Sequence, residues 1–234
     1  MQRTIFVSVS LAAVLALSAC GDSSGVFSGD DAPAPKDTEY PEQVFWGDTH
    51  LHTSNSIDAF GFGVLLGPEE ALRFASGEEV KATGGLRAKL ARPLDFLVIA
   101  DHSDGLGLTR TLYNAPRMMI RDKTLLRWYD EMHESPEGSL RVTAEIIDRA
   151  GAGTLPENLR DSERQKEQTK SIWEESSKIV EEYNKPGKFT AFIGFEYTRM
   201  LKGNNLHRVV MFRDGKEKTD QVLPYSSLIS DRVD

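Results

Sequence analysis

Four short apolar runs along the chain predict β-strands. They are QVFWGD at 43–48, PLDFLVIADHSD at 93–104, FTAFIGFEYT at 189–198 and HRVVMFRD at 207–214. Within the second run, residues 96–99 are apolar without alternation, which is typical of a strand whose two faces are both covered. Since such strands occur mainly in parallel sheets, the pattern favours an α/β fold built on a parallel sheet.

Helical patterns separate these runs. Pro68 stands at the first position of a predicted helix, with Glu69 and Glu70 in its first turn. A long polar stretch, about residues 109–188, lies between the second and third strands. Near its end, apolar residues recur at helical intervals and a stop signal follows them: Ile172, Trp173, Ile179 and Val180, then Asn184, Pro186 and Gly187. We interpret this stretch as a helical insertion with one or two solvent-facing helices.

Residues 1–20 have the pattern of an export signal: a basic start, an apolar stretch too short to span a bilayer comfortably, and small residues at the end. The ending LSAC, followed by Gly21, resembles the bacterial lipoprotein lipobox, in which the cysteine is acylated and becomes the mature N-terminus. Cys20, the only cysteine of the chain, is therefore the predicted lipid anchor. The predicted location is the bacterial cell envelope, on the outer membrane facing the periplasm. An ordinary cleaved signal peptide with an incidental cysteine is the alternative.

Composition describes the remainder of the chain. Residues 21–43 are rich in Gly, Ser, Asp and Pro and predict a flexible tether, after which a domain from 44 to 234 begins. With 234 residues, 39% hydrophobic and 27% charged, the chain is long enough for one large soluble domain. The formal charge of -8 argues against nucleic acid as a partner, because that affinity requires clustered Lys and Arg.

Potential metal ligands coincide with the predicted strands. His50 and His52 follow the first run, and the two-residue period of extended chain puts both rings on the same side. Asp101 and His102 directly follow the second strand.

Two further candidates extend this set. Glu196 lies in the third run, and His207 opens the fourth. Because strand ends meet at one rim of a parallel sheet or barrel, we expect a convergent site there. Imidazoles with a few carboxylates suit Zn, Mn or Fe better than Mg or Ca. His133, in the charged segment YDEMHESPEG, is predicted to be a surface residue.

The segments GDTHLHTSNSIDAFGFG, DFLVIADHSD, GFEYT and NLHRVVMFR resemble the successive motifs of the PHP superfamily, the polymerase and histidinol phosphatase metallohydrolases. They resemble more closely the uncharacterised family numbered 3604 among domains of unknown function. The resemblance runs from about residue 44 to the end of the chain. It implies a distorted (β/α)7 barrel with two or three metal ions, usually Zn, Mn or Fe, that hydrolyses phosphoesters.

The resemblance also implies roles for individual residues. His50 and His52 would bind one ion, Glu196 would bridge two ions, and His102 with His207 would serve the second. Asp58 resembles the acidic ligand of the first motif, although its spacing from His52 is one residue longer than in compact members.

Two further residues have expected roles outside the ligand set. Asp101, next to His102, is expected to orient a ligand or a bound water. Either Arg199 or Arg208 is a candidate for holding a phosphate, although the usual place of arginine is the protein surface.

Hydrolysis by water activated on a metal ion fits these residues. A bound ion lowers the pKa of water from about 15.7 to roughly 7, so no protein nucleophile is needed. The chain has no Gly-x-Ser-x-Gly elbow, which argues against a serine hydrolase. The predicted function is that of an exported, lipid-anchored phosphoesterase acting on a small phosphate ester.

A second reading is a non-catalytic or truncated metal-binding lipoprotein. The barrel implied by the resemblance needs about seven strands, whereas the pattern predicts four. The superfamily's later ligands, a further histidine and an Asp-x-His pair, are not found, since no histidine follows His207. We therefore expect this chain to be the N-terminal part of a longer protein, with the barrel incomplete until the C-terminal part joins it.

Overall fold

A computed structural model of the protein describes residues 43–201 and 204–228. The predicted signal segment, Cys20 and nearly all of the tether lie outside these residues. The described chain is a mixed α/β structure with six strands: β1 (Gly47–Leu51), β2 (Val80–Lys81), β3 (Arg87–Ala88), β4 (Phe96–Ile99), β5 (Thr190–Leu201) and β6 (Asn204–Met211). Four of them form one sheet in the order β1-β4-β5-β6, and β2 pairs with β3 in a separate hairpin that the sequence pattern did not predict.

Helices occupy most of the chain between these strands. They are α1 (Ile57–Gly61), α2 (Pro68–Ala75), α3 (Leu108–Asn114), α4 (Lys123–Glu134), α5 (Pro136–Gly151), α6 (Ser162–Tyr183) and α7 (Lys216–Thr219), with single 3-10 turns at Arg117–Met119 and Glu157–Leu159. The prediction of a helix that begins at Pro68 is confirmed. None of the helices in the described ranges combines the length and hydropathy that a bilayer-spanning helix needs.

The sheet is parallel on one side and antiparallel on the other. Phe96 of β4 pairs in parallel register with Gly47 of β1 and with Thr190 of β5. Strand β6 runs antiparallel to β5, so the expectation that the fourth strand would be parallel is wrong. The reason is the length of the connection: β5 ends at Leu201 and β6 begins at Asn204, whereas a parallel pair needs a crossover of a dozen or more residues.

The first strand begins later than its apolar run predicts. Val44, Phe45 and Trp46 are exposed, and β1 starts at Gly47 and continues through the polar segment to Leu51. Backbone pairing with β4 determines this choice. A Cβ atom at Gly47 would collide with the ring and carbonyl of Phe96, so this close approach requires glycine. The shift carries His50 into the strand itself.

One face of the sheet packs against α2 and α6. We call the buried apolar residues of this layer the sheet cluster; its members are Leu72, Ala75, Leu97, Ile99, Leu106, Ile172, Trp173, Val180, Phe189, Ala191, Ile193 and Phe195. Helix α6 begins at Asp161, whose carboxylate accepts hydrogen bonds from the N–H groups of Glu163 and Arg164. The predicted apolar positions of α6 thus face the sheet, and this helix is a structural layer of the fold.

Helices α1, α3, α4 and α5 enclose a second apolar core, which we call the helical cluster. Its buried members are Phe60, Leu112, Leu125, Trp128, Met132, Val142, Ile146 and Leu155. The expectation of one or two solvent-facing helices in this part of the chain is therefore wrong. The helices are short and their apolar positions few, but several of them together bury one another's apolar sides.

Candidate metal centre

Glu196 lies beside the segment that follows β4. Its N–H donates to the carbonyl of Asp101, and its own carbonyl accepts from the N–H of Ser103, both at 2.9 Å. These two bonds hold Glu196 level with His102, which lies three residues beyond the end of β4. Sequence reasoning expected a ligand at a strand end, whereas Glu196 lies within β5 because that strand continues into the hairpin with β6.

The first ligand group consists of His50, His52 and Glu196. Both histidines approach the same carboxylate oxygen, with Nε2 of each ring 2.7 Å from Oε2 of Glu196. The expectation that a spacing of two residues puts the rings on one side is confirmed. The ring centroids are 5.0 Å apart.

The second ligand group consists of His102, His207 and Glu196. Here Nδ1 of His207 lies 2.5 Å from the other carboxylate oxygen, Oε1. The hydroxyl of Thr198 lies between the rings, 2.7 Å from Nδ1 of His102 and 3.2 Å from Nδ1 of His207. Because β5 and β6 are antiparallel, Thr198 is directly opposite His207 and on the same face.

The third ligand group consists of His52, Asp58 and His102. Asp58 opens α1, and its carboxylate oxygens lie 3.1 and 3.2 Å from Nδ1 of His52 and 3.5 Å from Nε2 of His102. Asp58 therefore lies among the candidate ligands, although its spacing from His52 is one residue longer than in compact members of the PHP superfamily. Its position fits either a direct ligand or a carboxylate that orients His52 from behind.

Two atoms of this cluster are buried without a hydrogen-bond partner among the described residues: Nε2 of His52 and Oε1 of Glu196. Nε2 of His52 lies 2.7 Å from Oε2 of Glu196, and Oε1 of Glu196 lies 2.5 Å from Nδ1 of His207. Neither pair has hydrogen-bonding geometry. Unpartnered buried polar atoms are rare in native proteins. A divalent cation would satisfy both atoms, so the donor set fits a metal ion, and several of these groups could hold one.

The charge states of the carboxylates are suited to a cation. Burial would raise the pKa of Glu196, but the hydrogen bond with His50 and the nearby imidazoles lower it overall. For Asp58 burial again acts upward, and hydrogen bonds from His102 and His52 hold the pKa well below its usual range. Burial acts to lower the pKa of His52, yet Asp58 raises it overall. Both carboxylates are therefore ionised, which is the state that a metal ligand requires.

Asp101 has a different partner from the one expected. Its two carboxylate oxygens accept from the N–H and the hydroxyl of Thr53, at 2.5 and 2.7 Å. Burial raises the pKa of Asp101 to about 6. These bonds position the turn that follows β1, and the expected role of Asp101 in orienting a ligand or a water stays a prediction.

Sequence reasoning missed three hydroxyl residues. Thr53 anchors Asp101, Thr198 lies between two rings, and the Ser56 hydroxyl lies 3.2 Å from Nδ1 of His52 while accepting from the N–H of His102 at 3.0 Å. Ser and Thr are too common for their position in a sequence to mark a site. The one available signal was the polar run TSNS immediately after His52, whose four residues are all buried.

Two of the other candidate residues lie away from the cluster. Arg208 is next to His207 in β6. Strand alternation puts the two side chains on opposite faces of the sheet, which argues against the predicted contact of Arg208 with a phosphate. The side chain of Arg199 is outside the described part of the structure. His133 is exposed and stacks on Tyr113 and Tyr129, as a surface residue.

A cavity of about 550 Å³ adjoins the residues of the three ligand groups. Asp58, His102, Thr198 and His207 line it on one side, and residues of the helical cluster line it on another. The ligand groups are thus reachable from a space large enough for a small molecule.

Comparison with known proteins yields one family. No curated protein and no solved structure matches the chain. Residues 39–234 match the family described as "Protein of unknown function (DUF3604)". This range includes every ligand of the three groups, and the chain belongs to the DUF3604 family.

Proposed function

We propose that this protein is a metal-dependent phosphoesterase that uses two or more divalent ions, Zn, Mn or Fe, to hydrolyse a small phosphate ester. One observation carries the proposal: the two oxygens of the buried Glu196 carboxylate face different histidines, Oε2 facing His50 and His52 and Oε1 facing His207. A carboxylate in this position can hold two ions side by side, which is the arrangement of two-metal hydrolases.

Bound ions would supply a water of lowered pKa and neutralise charge on the phosphate. The residues of the chain supply position. His50 and His207 are partly exposed, so the cluster is open to an incoming ester. The Thr198 hydroxyl and the Asp58 carboxylate fix the orientation of the His102 and His52 rings, and each ring presents a defined nitrogen.

The resemblance of four ordered motifs to the PHP superfamily supports the same proposal. It extends the proposed fold to a distorted (β/α)7 barrel, of which the sheet β1-β4-β5 with α2 and α6 would form part. The parallel direction of these three strands is compatible with such a barrel. So is the position of His50, His52 and His102, which lie at and just beyond the carboxyl ends of β1 and β4.

The test combines metal content with turnover. Purified protein is stripped with EDTA, reloaded separately with Zn²⁺, Mn²⁺ or Fe²⁺, and assayed with p-nitrophenyl phosphate and bis-p-nitrophenyl phosphate. We expect two or more ions per chain and turnover that EDTA abolishes. Glu196→Gln should lose both properties, and His133→Ala should retain them.

Two outcomes would contradict the proposal in different ways. Metal content no higher in the parent than in Glu196→Gln would exclude the centre. Stoichiometric metal with no hydrolysis of any mono- or diester in a broad panel would leave a non-catalytic metal-binding protein, the second function that the sequence allows.

We also propose that the protein is exported and anchored through a lipid on Cys20, at the outer membrane facing the periplasm. The support is the segment LSAC followed by Gly21 and the preceding apolar stretch. Labelled palmitate should be incorporated into the parent and not into Cys20→Ser, which should leave the membrane fraction. Absence of label from the parent would exclude the lipid anchor.

A further inference from the structure

The cavity beside the cluster has two chemically different sides. Asp58, His102 and His207 line the side that belongs to the ligand groups. Most of the remaining lining is apolar, although Arg121 and Arg164 also contribute to it. The apolar side chains include four buried members of the helical cluster: Leu112, Leu125, Ile146 and Leu155. A molecule that fills this space must therefore present a polar end to the histidines and an apolar body to the helices.

The size of the cavity exceeds the needs of a phosphate group alone. Its volume of about 550 Å³ falls within the roughly 300–1,000 Å³ of typical small-molecule sites. Much of this space lies among side chains that cannot hydrogen-bond with water. Burial of an apolar group there would release poorly accommodated water and contribute to affinity in proportion to the buried area.

One polar atom of the wall has no partner. The side-chain oxygen of Asn158, which follows α5, is buried and lacks a hydrogen-bond donor among the described residues, and Asn158 lines the cavity. A buried acceptor of this kind is stable when a bound molecule or an ordered water donates to it. The unpartnered oxygen of Asn158 is thus, besides the size of the cavity, a second indication that the cavity binds a molecule.

We infer that the substrate of this centre is an amphipathic phosphate ester, whose phosphate lies at the histidine cluster and whose bulky apolar group, aryl or alkyl, lies in the cavity of the helical cluster. This inference rests on the proposed function. It assigns a purpose to the chain between β4 and β5: helices α3, α4 and α5 form the specificity pocket of the site.

The test measures binding without turnover. Zn²⁺-loaded protein is titrated calorimetrically with 2-naphthylmethylphosphonate and with methylphosphonate, which share a headgroup and cannot be hydrolysed. We expect the naphthyl compound to bind about 10- to 100-fold more tightly, as burial of an apolar group of this size implies. Equal affinities would overturn the inference.

A matched pair of variants locates the apolar group. Ala150→Phe fills the cavity from α5, where Ala150 is part of the lining, whereas Ala144→Phe puts the same ring on the exposed side of the same helix. The first should remove the naphthyl advantage and leave methylphosphonate binding unchanged; the second should change neither. If Ala150→Phe does not fold, Thr111→Phe replaces it, since Thr111 lines the cavity from an exposed position. A naphthyl advantage that survives in the folded cavity variant would overturn the inference.

A neutral probe separates the failure of the pocket from the failure of the proposed function. Metal-free protein is titrated with 2-naphthylmethanol, which needs the cavity and no metal. Binding that Ala150→Phe abolishes, together with no binding of either phosphonate to the metal-loaded protein, would support the apolar pocket and overturn the phosphoesterase. No binding of 2-naphthylmethanol to the parent would overturn the pocket.

Discussion

The ligands on the inner strands of the sheet differ from those on the outer strands. Glu196 and His102, on or after β5 and β4, have side chains that are 1% and 10% exposed. His50 and His207, on β1 and β6, are 45% and 42% exposed. Inner strands have neighbours on both edges and helices on one face, so they fix a side chain through backbone bonds and packing. Among the described strands, β1 and β6 each pair along one edge, and His50 and His207 face solvent.

The difference indicates a division of labour within one site. The inner ligands define where an ion can lie, because their positions are determined by many contacts that do not depend on the ion. Under the proposed function, the outer ligands would complete the coordination and admit the substrate. Substitutions of inner residues should therefore remove metal binding and stability together, whereas substitutions of outer residues should weaken metal binding alone.

The largest effect is expected for Glu196→Gln. This change removes the charge and one oxygen of the carboxylate that the first and second ligand groups share, while the side-chain volume is preserved. We expect loss of metal at both groups, a greater effect than the roughly 10- to 100-fold that removal of an outer-shell partner costs. Elemental analysis and Zn²⁺ titration measure it. Glu182→Gln, an exposed change on α6, is the control. Full metal content in Glu196→Gln would contradict the proposed difference between inner and outer ligands.

The next largest effect separates an inner from an outer histidine. His102→Ala removes a member of the second and third ligand groups and leaves the buried hydroxyl of Thr198 with one partner fewer, so metal affinity and stability should both fall. The stability cost should be about 1–3 kcal/mol. His50→Ala should reduce metal affinity at the first group only, with a stability change within about 0.5 kcal/mol.

Urea denaturation of the metal-free proteins and Zn²⁺ titration measure the two quantities separately. His133→Ala supplies a histidine control outside the cluster. The proposed division of labour is wrong if His50→Ala destabilises the metal-free protein as much as His102→Ala does.

A smaller effect is expected for Thr53→Val, which tests the support behind the inner ligands. Valine has nearly the same shape as threonine but cannot donate to the buried carboxylate of Asp101, 2.7 Å away. The backbone N–H of residue 53 remains as a donor. We expect a loss of about 1–3 kcal/mol in the free energy of unfolding, measured with urea. Thr49→Val, on the exposed part of β1, should change it by less than about 0.5 kcal/mol.

The smallest effect is expected for Arg208→Ala. Although Arg208 adjoins His207 in sequence, its side chain lies on the other face of β6. Metal content and the affinity of Zn²⁺-loaded protein for methylphosphonate should equal those of the parent. A tenfold or greater loss of phosphonate affinity would show that Arg208 acts at the site, as its proximity to His207 in sequence suggests, and that strand alternation does not separate the two side chains.

The strands were predictable to different degrees from local pattern. The run at 96–99 has four adjacent apolar residues, and β4 forms there. Such a run is typical of a strand that is covered on both faces, where every side chain is buried. The run at 43–48 has three adjacent apolar residues, yet β1 begins only at Gly47, after them, where the backbone can pair with β4. Apolar character identifies the residues that can be buried, and backbone pairing between strands determines which residues form the strand.

The sequence by itself determined the chemical identity of the candidate ligands. Two histidines in an extended segment, an Asp-His pair after the central strand, a glutamate and a further histidine on the last strands already imply nitrogen and oxygen ligands for a divalent ion. Their spacing of two residues fixed the common side of the His50 and His52 rings, because strand alternation is a local property of the backbone.

Only the tertiary structure decided how these ligands are shared. The contact between His50 and Glu196 joins residues 146 positions apart. That His207 contacts the other oxygen of the same carboxylate depends on how β5 passes from a parallel to an antiparallel partner. The hydroxyls of Thr53, Ser56 and Thr198, and the cavity beside the helical cluster, likewise come from elements brought together by burial. Local pattern cannot encode such contacts, because their geometry is defined by the packing of the whole sheet and its helices.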